Sequence, residues 1–177
     1  PARRGEQVEV LLLQQGRVAR GRRAALAGEH VHARARRVAA PHRVHALVVL
    51  PEVQAVVRFA AEHNVAIVPW GLGSGVCGGI EPQPDQILID MSAMNRVLSI
   101  DEDNLLLTVE AGINGLVAEE AVAERGLTFG LWPQSIGICS VGGWISTRAS
   151  GQFSTAYGNI EDIIVDFALV TPIGALR

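Results

Sequence analysis

The hydrophobic period of the chain changes twice between Ala46 and Pro69, and this switch restricts the fold more than any other feature. Ala46–Leu50 is a short apolar run stopped by Pro51, which reads as a buried strand. Val53, Val56, Val57, Ala60 and Ala61 then recur at i, i+3, i+4, i+7 and i+8, one face of a helix ending near Asn64. Val65–Pro69 is a second apolar run. Strand, helix and strand with short links form a βαβ unit, whose crossover makes the strands parallel.

The patterning continues downstream. Gln86–Asp90, Val97–Asp101 and Leu105–Glu110 read as strands, the last two separated by the acidic turn Asp101–Asn104. Asn114 is placed to cap a helix running through Glu124, and Gly126 to terminate it. Ile163–Thr171 reads as a long strand, followed by a turn at Pro172–Gly174.

Residues 1–45 are different. They carry ten Arg and three Glu, whereas residues 46–177 carry five Arg and fifteen acidic residues. The stretch Arg17–Arg23 shows neither helical nor strand periodicity. We therefore expect residues 1–45 to be an unpatterned basic segment, disordered, loosely helical or translated out of frame, and residues 46–177 to be the domain. A basic arm suits nucleic acid, but this one lacks interleaved aromatics and any recognisable module, so no nucleic-acid partner is expected.

With 49% apolar and 19% charged residues the composition is that of a globular protein. No apolar run approaches the ~18 residues of a membrane span, and the N-terminus lacks a secretory pattern. Cys77 and Cys139 make no disulfide framework, consistent with a cytoplasmic setting.

Chemistry concentrates in Gly-rich segments. The first follows a strand: Pro69, Trp70, Gly71, Leu72, Gly73, Ser74 and Gly75, running on to Gly79. Glycines let a ligand approach the main chain, and successive N–H groups can converge into an anion nest. Gly73–Gly78 satisfies G-x-G-x-x-G, but Pro82 and Pro84 exclude the helix a dinucleotide fingerprint requires. A P-loop needs a Lys, and the chain has none. Gly73-Ser74-Gly75 lacks the spacing of a nucleophile elbow. Metal ligation is not indicated: His30, His32, His42 and His45 lie in the basic segment, and His63 ends a helix.

The second segment is Ser140-Val-Gly-Gly-Trp-Ile-Ser-Thr-Arg-Ala-Ser-Gly151, followed by Tyr157-Gly-Asn-Ile-Glu-Asp162. If Val141–Ser150 is helical, Ser140 lies at its start and Gly142 and Gly143 thin its first turn, opening backbone N–H groups to a ligand. Arg148 has two candidate partners, an anionic ligand or the carboxylates Glu161 and Asp162. Trp144 reads as core.

Together these segments resemble the flavin-binding domain of the vanillyl-alcohol oxidase and p-cresol methylhydroxylase superfamily. Within it, the wording from Ser140 to Asp162, with Met94–Arg96, Asp103-Asn104 and Val109–Ile113, is similar to the alkyldihydroxyacetonephosphate synthase branch. The resemblance covers residues from about 46 to 177. It implies an α+β fold, a PCMH-type domain of two small α/β lobes (about 46–102 and 103–177) with FAD between them.

It also implies that Pro69–Gly75 cradles the FAD pyrophosphate. Gln134, Ser135, Ile136, Gly137, Ile138, Cys139 and Ser140 would form a second flavin-binding stretch, and Thr147, Arg148, Ala149 and Ser150 a third. Neither cradle holds a His, so noncovalent FAD is expected. Leu72 departs from a run of glycines, and Gln134 replaces an acidic residue. The chain is expected to stop before the substrate cap and the catalytic residues. The resemblance thus implies the FAD-binding portion of an FAD-linked oxidoreductase with a small-molecule substrate. Its alternatives are the acyl-for-alkyl exchange of the synthase branch, in which the flavin ring acts covalently on the substrate, and a non-catalytic flavin-binding fragment.

Overall fold

The computed structural model describes residues 9–13, 44–46 and 50–176. Strands β1 (Glu9–Leu13) and β2 (Val44–Ala46) precede helix α1 (Leu50–Glu62). The strand expected over Ala46–Leu50 is displaced, because Leu50 and Pro51 already belong to the helix. First-turn N–H groups have no intrahelical acceptor, so proline can open a helix there instead of ending a strand. Leu50, Val53 and Ala60 are buried and Val56 and Val57 pack beside them, while Ala61 at the edge of the predicted face is exposed.

Strands β3 (Ile67–Trp70) and β4 (Ile87–Asp90) complete the first sheet. Both β2 and β3 pair parallel with β4, in the order β2-β4-β3. The parallel relation expected of the βαβ unit is present, with β4 inserted between its two strands.

Strands β5 (Val97–Asp101) and β6 (Leu106–Glu110) form an antiparallel pair. Asp101 Oδ1 holds their turn by accepting the N–H groups of Asp103 at 3.1 Å and Asn104 at 2.9 Å. With β7 (Ile164–Phe167) they make a four-stranded sheet ordered β5-β6-β1-β7. The backbone of β1 therefore lies between β6 and β7, antiparallel to both, although it falls within the segment read as unpatterned. Its one sequence signal is the run Val10–Leu13 amid Arg, Gly and Gln. The expectations for residues 1–8 and 14–43 lie outside the described residues.

Helix α2 (Gly115–Ala123) has Asn114 as N-cap, and Gly126 takes φ +72° beyond its C-cap Glu124. Helices α3 (Val141–Thr147), α4 (Ser154–Tyr157) and α5 (Ile160–Ile163) follow. The long strand expected over Ile163–Thr171 is divided: Ile163 ends α5, β7 joins β1, and β8 (Leu169–Thr171) forms a hairpin with β9 (Gly174–Leu176). The break lies at Ala168, which packs with Val170 on the α1 core.

Two apolar cores form among the described residues. One gathers α1, β4 and Met94; the other gathers β6, α2, α3, α5 and the segment from Leu127 to Leu131. Val97 and Ile100 pack into the second core, and Ala168 and Val170 into the first. Each core therefore draws on residues from beyond the lobe limits expected near residues 102 and 103. Ala111 touches both cores. No helix among the described residues is long and apolar enough to cross a membrane.

Candidate functional site

Four segments meet around the turn after β6, and glycine permits each approach. A Cβ on Gly112 would run into the Met91 carbonyl oxygen and come within 2.8 Å of that of Met94. On Gly142 it would lie 2.7 Å from the Ala111 carbonyl oxygen, and on Gly71 it would collide with Ser140 Oγ. A side chain at any of these positions would push the segments apart. The turn after β4, the turn after β6, the start of α3 and the loop after β3 are thereby held side by side.

The loop from Gly71 leaves β3 at the C-terminal end of the parallel sheet, the edge where ligands bind in open parallel sheets. The Trp70 carbonyl accepts Met91 N–H at 2.9 Å, anchoring the loop's base, and the Trp70 ring lies against Gly73, whose φ is +70°. Among the described residues, no hydrogen bond takes up the N–H groups of Gly71 through Cys77, and Val76 and Cys77 form a turn. A Cβ added at Gly75 or Gly79 would meet no atom within 4 Å. Leu72 is half-buried, while Pro69, Gly73 and Gly75 are exposed. Such a run of N–H donors, open at Gly75 and Gly79, presents dipoles that can meet negative charge.

The second stretch is anchored on α2. Gly115 N–H donates to the Cys139 carbonyl at 2.9 Å and Leu116 N–H to the Ile136 carbonyl at 3.0 Å. Val141 N–H donates to the Ile113 carbonyl at 3.0 Å, pairing Asn114 with Ser140 in an isolated bridge. Ile136, Cys139 and Ser140 are buried, whereas Gln134, Gly137 and Ile138 are exposed and Ser135 is half-buried. Cys139 is committed to the core: Trp144 Nε1–H donates to its Sγ at 2.8 Å, and the Trp144 ring packs edge-on against Phe129. Trp144 is core, as its sequence context predicts.

The start of α3 differs from expectation. Val141 N–H is taken by Ile113, Gly142 N–H by the Ala111 carbonyl at 2.7 Å, and Gly143 N–H by Ser140 Oγ at 3.2 Å. The orphan donors of this helix end are therefore satisfied within the protein and are not offered to a ligand. Gly142 and Gly143 open the first turn to neighbouring chain, not to an anion.

In the third stretch, Thr147 Oγ1–H donates to the Gly143 carbonyl at 2.9 Å, which leaves the hydroxyl an acceptor on the exposed surface. Arg148 closes α3 in the left-handed region at φ +53°. Its guanidinium donates to Glu161 Oε1 at 2.9 Å, so the protein-side partner is realised, but the side chain remains 78% exposed. The Glu161 carboxyl is held below its ordinary range by its own backbone N–H and then by Arg148. Ala149 packs against the second core, and its carbonyl accepts Ile160 N–H at 3.1 Å; Ser150 is exposed. Gly151 abuts the Trp132 backbone, and Gln152 N–H donates to the Trp132 carbonyl at 2.9 Å, tying this stretch to the second.

The structure thus joins the first stretch to the second through Gly71 and Ser140, and the second to the third through Trp132 and Gly151. Among the described residues, no hydrogen bond links Pro69–Gly75 directly to Thr147–Ser150. Sequence reasoning missed the part played by Ala111, Gly112 and Asn114 in this junction. Gly112 between apolar Ala111 and Ile113 was the available signal, since glycine beside a strand end marks close backbone approach.

The family described as FAD binding domain matches residues 45–177. Alkyldihydroxyacetonephosphate synthase of Dictyostelium discoideum is 39% identical over 138 residues, covering 74% of this chain and 23% of that protein. An uncharacterised FAD-linked oxidoreductase of Escherichia coli K12 is 37% identical over 126 residues, covering 71% of this chain and 26% of that protein. A solved structure of an alkyldihydroxyacetonephosphate synthase superposes with a TM-score of 0.71 at 37% identity, covering 76% of this chain and 28% of that one. The chain spans about a quarter of the length of these relatives.

Proposed function

The chain belongs to the FAD binding domain family, and from that premise we propose that it is the cofactor-holding portion of an FAD-linked oxidoreductase acting on a small molecule. The observation that carries this reading is the loop after β3, where consecutive backbone donors run from Gly71, packed on Ser140, to the open face of Gly75. Residues 69–75 would seat the pyrophosphate. The exposed edge of residues 134–140 and the hydroxyl and guanidinium groups of residues 147–150 would border the rest of the cofactor. FAD, when bound, supplies an acceptor for a hydride from substrate.

The residues of this chain contribute binding and orientation. Loop N–H groups meet negative charge without the reorganisation water would need. The junction at Gly71, Gly112 and Gly142 keeps the bordering backbones in register. Noncovalent attachment belongs to the same proposal: residues 69–79 and 134–140 hold no His, and Cys139 is buried against Trp144. The free thiols Cys77 and Cys139 also support a cytoplasmic setting.

The identity to a synthase favours a second reading, the acyl-for-alkyl exchange of that branch. The cofactor-holding role is common to both.

The test is direct. The purified chain is mixed with FAD, passed over a sizing column and read at the flavin absorbance bands. Co-elution of yellow cofactor with protein is expected; complete separation would overturn the reading. Denaturing the complex should release all flavin to the filtrate, and flavin retained on the polypeptide would refute noncovalent attachment.

A further inference from the structure

Asn114 does more than cap α2. Its Oδ1 accepts Leu116 N–H at 2.9 Å and Val117 N–H at 3.4 Å, the usual task of an N-cap. Its Nδ2 points the other way and donates to the Gly137 carbonyl at 2.9 Å. The same residue's backbone is bridged to Ser140. One side chain thus ties a helix end to the middle of a loop, and one residue grips residues 137 and 140 of that loop.

The neighbours make this grip specific. Gly115 has no room for a side chain, because a Cβ there would strike the Trp144 ring. Gly115 and Leu116 have given their N–H groups to Cys139 and Ile136, which fixes the buried side of the loop. On the exposed side, Ile138 N–H donates to the Ser135 carbonyl at 2.8 Å within the loop itself, and Ile138 is half exposed. Asn114 Nδ2 is the side-chain donor that reaches this side. Asp or Ser would cap the helix as well as Asn does, yet the Asp carboxylate has no donor and the Ser hydroxyl sits one bond nearer the backbone than Asn Nδ2.

We propose that Asn114 is a positioning residue for the flavin site, holding the exposed backbone of residues 137–140 in its binding geometry. This rests on the FAD reading given above. Asn114 touches no cofactor in this assignment; it acts through the Gly137 carbonyl.

Two variants separate the tasks. Asn114→Asp and Asn114→Ser keep the cap and remove the Nδ2 donor. Both should melt close to the parent chain in the absence of FAD, while amide hydrogen exchange accelerates at residues 137–140 and not within α2. Their FAD dissociation constants should rise about three- to tenfold, the range for losing one hydrogen bond. Asn114→Ala should show the same loss of affinity and a lower melting temperature as well.

Unchanged exchange at residues 137–140 in both cap-preserving variants would overturn the proposal, as would parent-like FAD affinity. Equal acceleration throughout α2 would assign Asn114 a purely structural role and also overturn it. The exchange measurement needs no flavin. A parent chain that failed to bind FAD would sink the FAD reading, and exchange would still report on the Asn114 grip.

Discussion

Gly71 and Ser140 stand so close that the glycine's missing side chain is the space occupied by the serine hydroxyl. The same hydroxyl accepts Gly143 N–H and caps α3. The loop after β3 and the start of α3 are therefore coupled through one oxygen atom. A change at Gly71 reaches the helix without touching it.

Gly71→Ala should accordingly displace Ser140 Oγ and weaken its cap, at a cost of about 1 kcal/mol in unfolding free energy. Ser140→Ala alone should lose a similar amount. The double variant should lose less than the sum, because the clash and the cap share that oxygen. Urea unfolding of the parent, two single variants and the double variant measures the coupling; strict additivity would contradict it.

Gly75→Val should behave in the opposite way. A side chain there has open space around it, so the melting temperature should stay near that of the parent. FAD affinity should fall, since a β-branched group blocks approach to the backbone donors. Titration of both proteins with FAD, alongside thermal melts, checks the separation.

Arg148→Ala removes an exposed ion pair with Glu161. Exposed pairs contribute little, so unfolding free energy should change by less than about 1 kcal/mol. If the guanidinium borders the cofactor as proposed, FAD binding should weaken by about 1–3 kcal/mol. Loss of stability with intact affinity would assign the residue to the pair with Glu161 alone.

Glu119 gives the fold a pH dependence. Its carboxyl is buried, Oε1 accepts from Thr128 Oγ1, and Oε2 has no hydrogen-bond partner among the described residues. Burial raises its pKa above the ordinary 4.5, outweighing the Thr128 hydroxyl and the Phe129 N–H. The folded state therefore holds this proton at a pH where the unfolded state has lost it. Stability from this group should rise as pH falls through the raised value and level off below 4.5. Glu119→Gln should flatten that rise. Urea midpoints between pH 7 and pH 4.5 test the slope.

Much of this was legible in advance because it is local. Asn114 followed by an apolar helix and Gly126 announces both ends of α2. Asp101–Asn104 announces its turn, since a short carboxylate can accept neighbouring N–H groups. The donor-rich loop is legible from glycine alone, as no other residue leaves both backbone faces open.

Other features depend on partners remote in sequence. Val10–Leu13 is a weak strand signal, and its place between β6 and β7 is set by the registers those strands offer. Pro51 reads in sequence as the end of a strand; in the fold it opens α1, which packs on β4.

The sequence by itself determined where donors, glycines and caps lie, because each follows from the φ, ψ and hydrogen-bonding needs of a few consecutive residues. Tertiary structure alone decided which donors remain free. Both the loop after β3 and the start of α3 carry exposable N–H groups in one dimension. In three dimensions the carbonyls of Ala111 and Ile113 and the hydroxyl of Ser140 consume those of α3, and nothing among the described residues consumes those of the loop. A hydrogen bond needs its partner within about 3 Å, and only the folded chain places partners at that range.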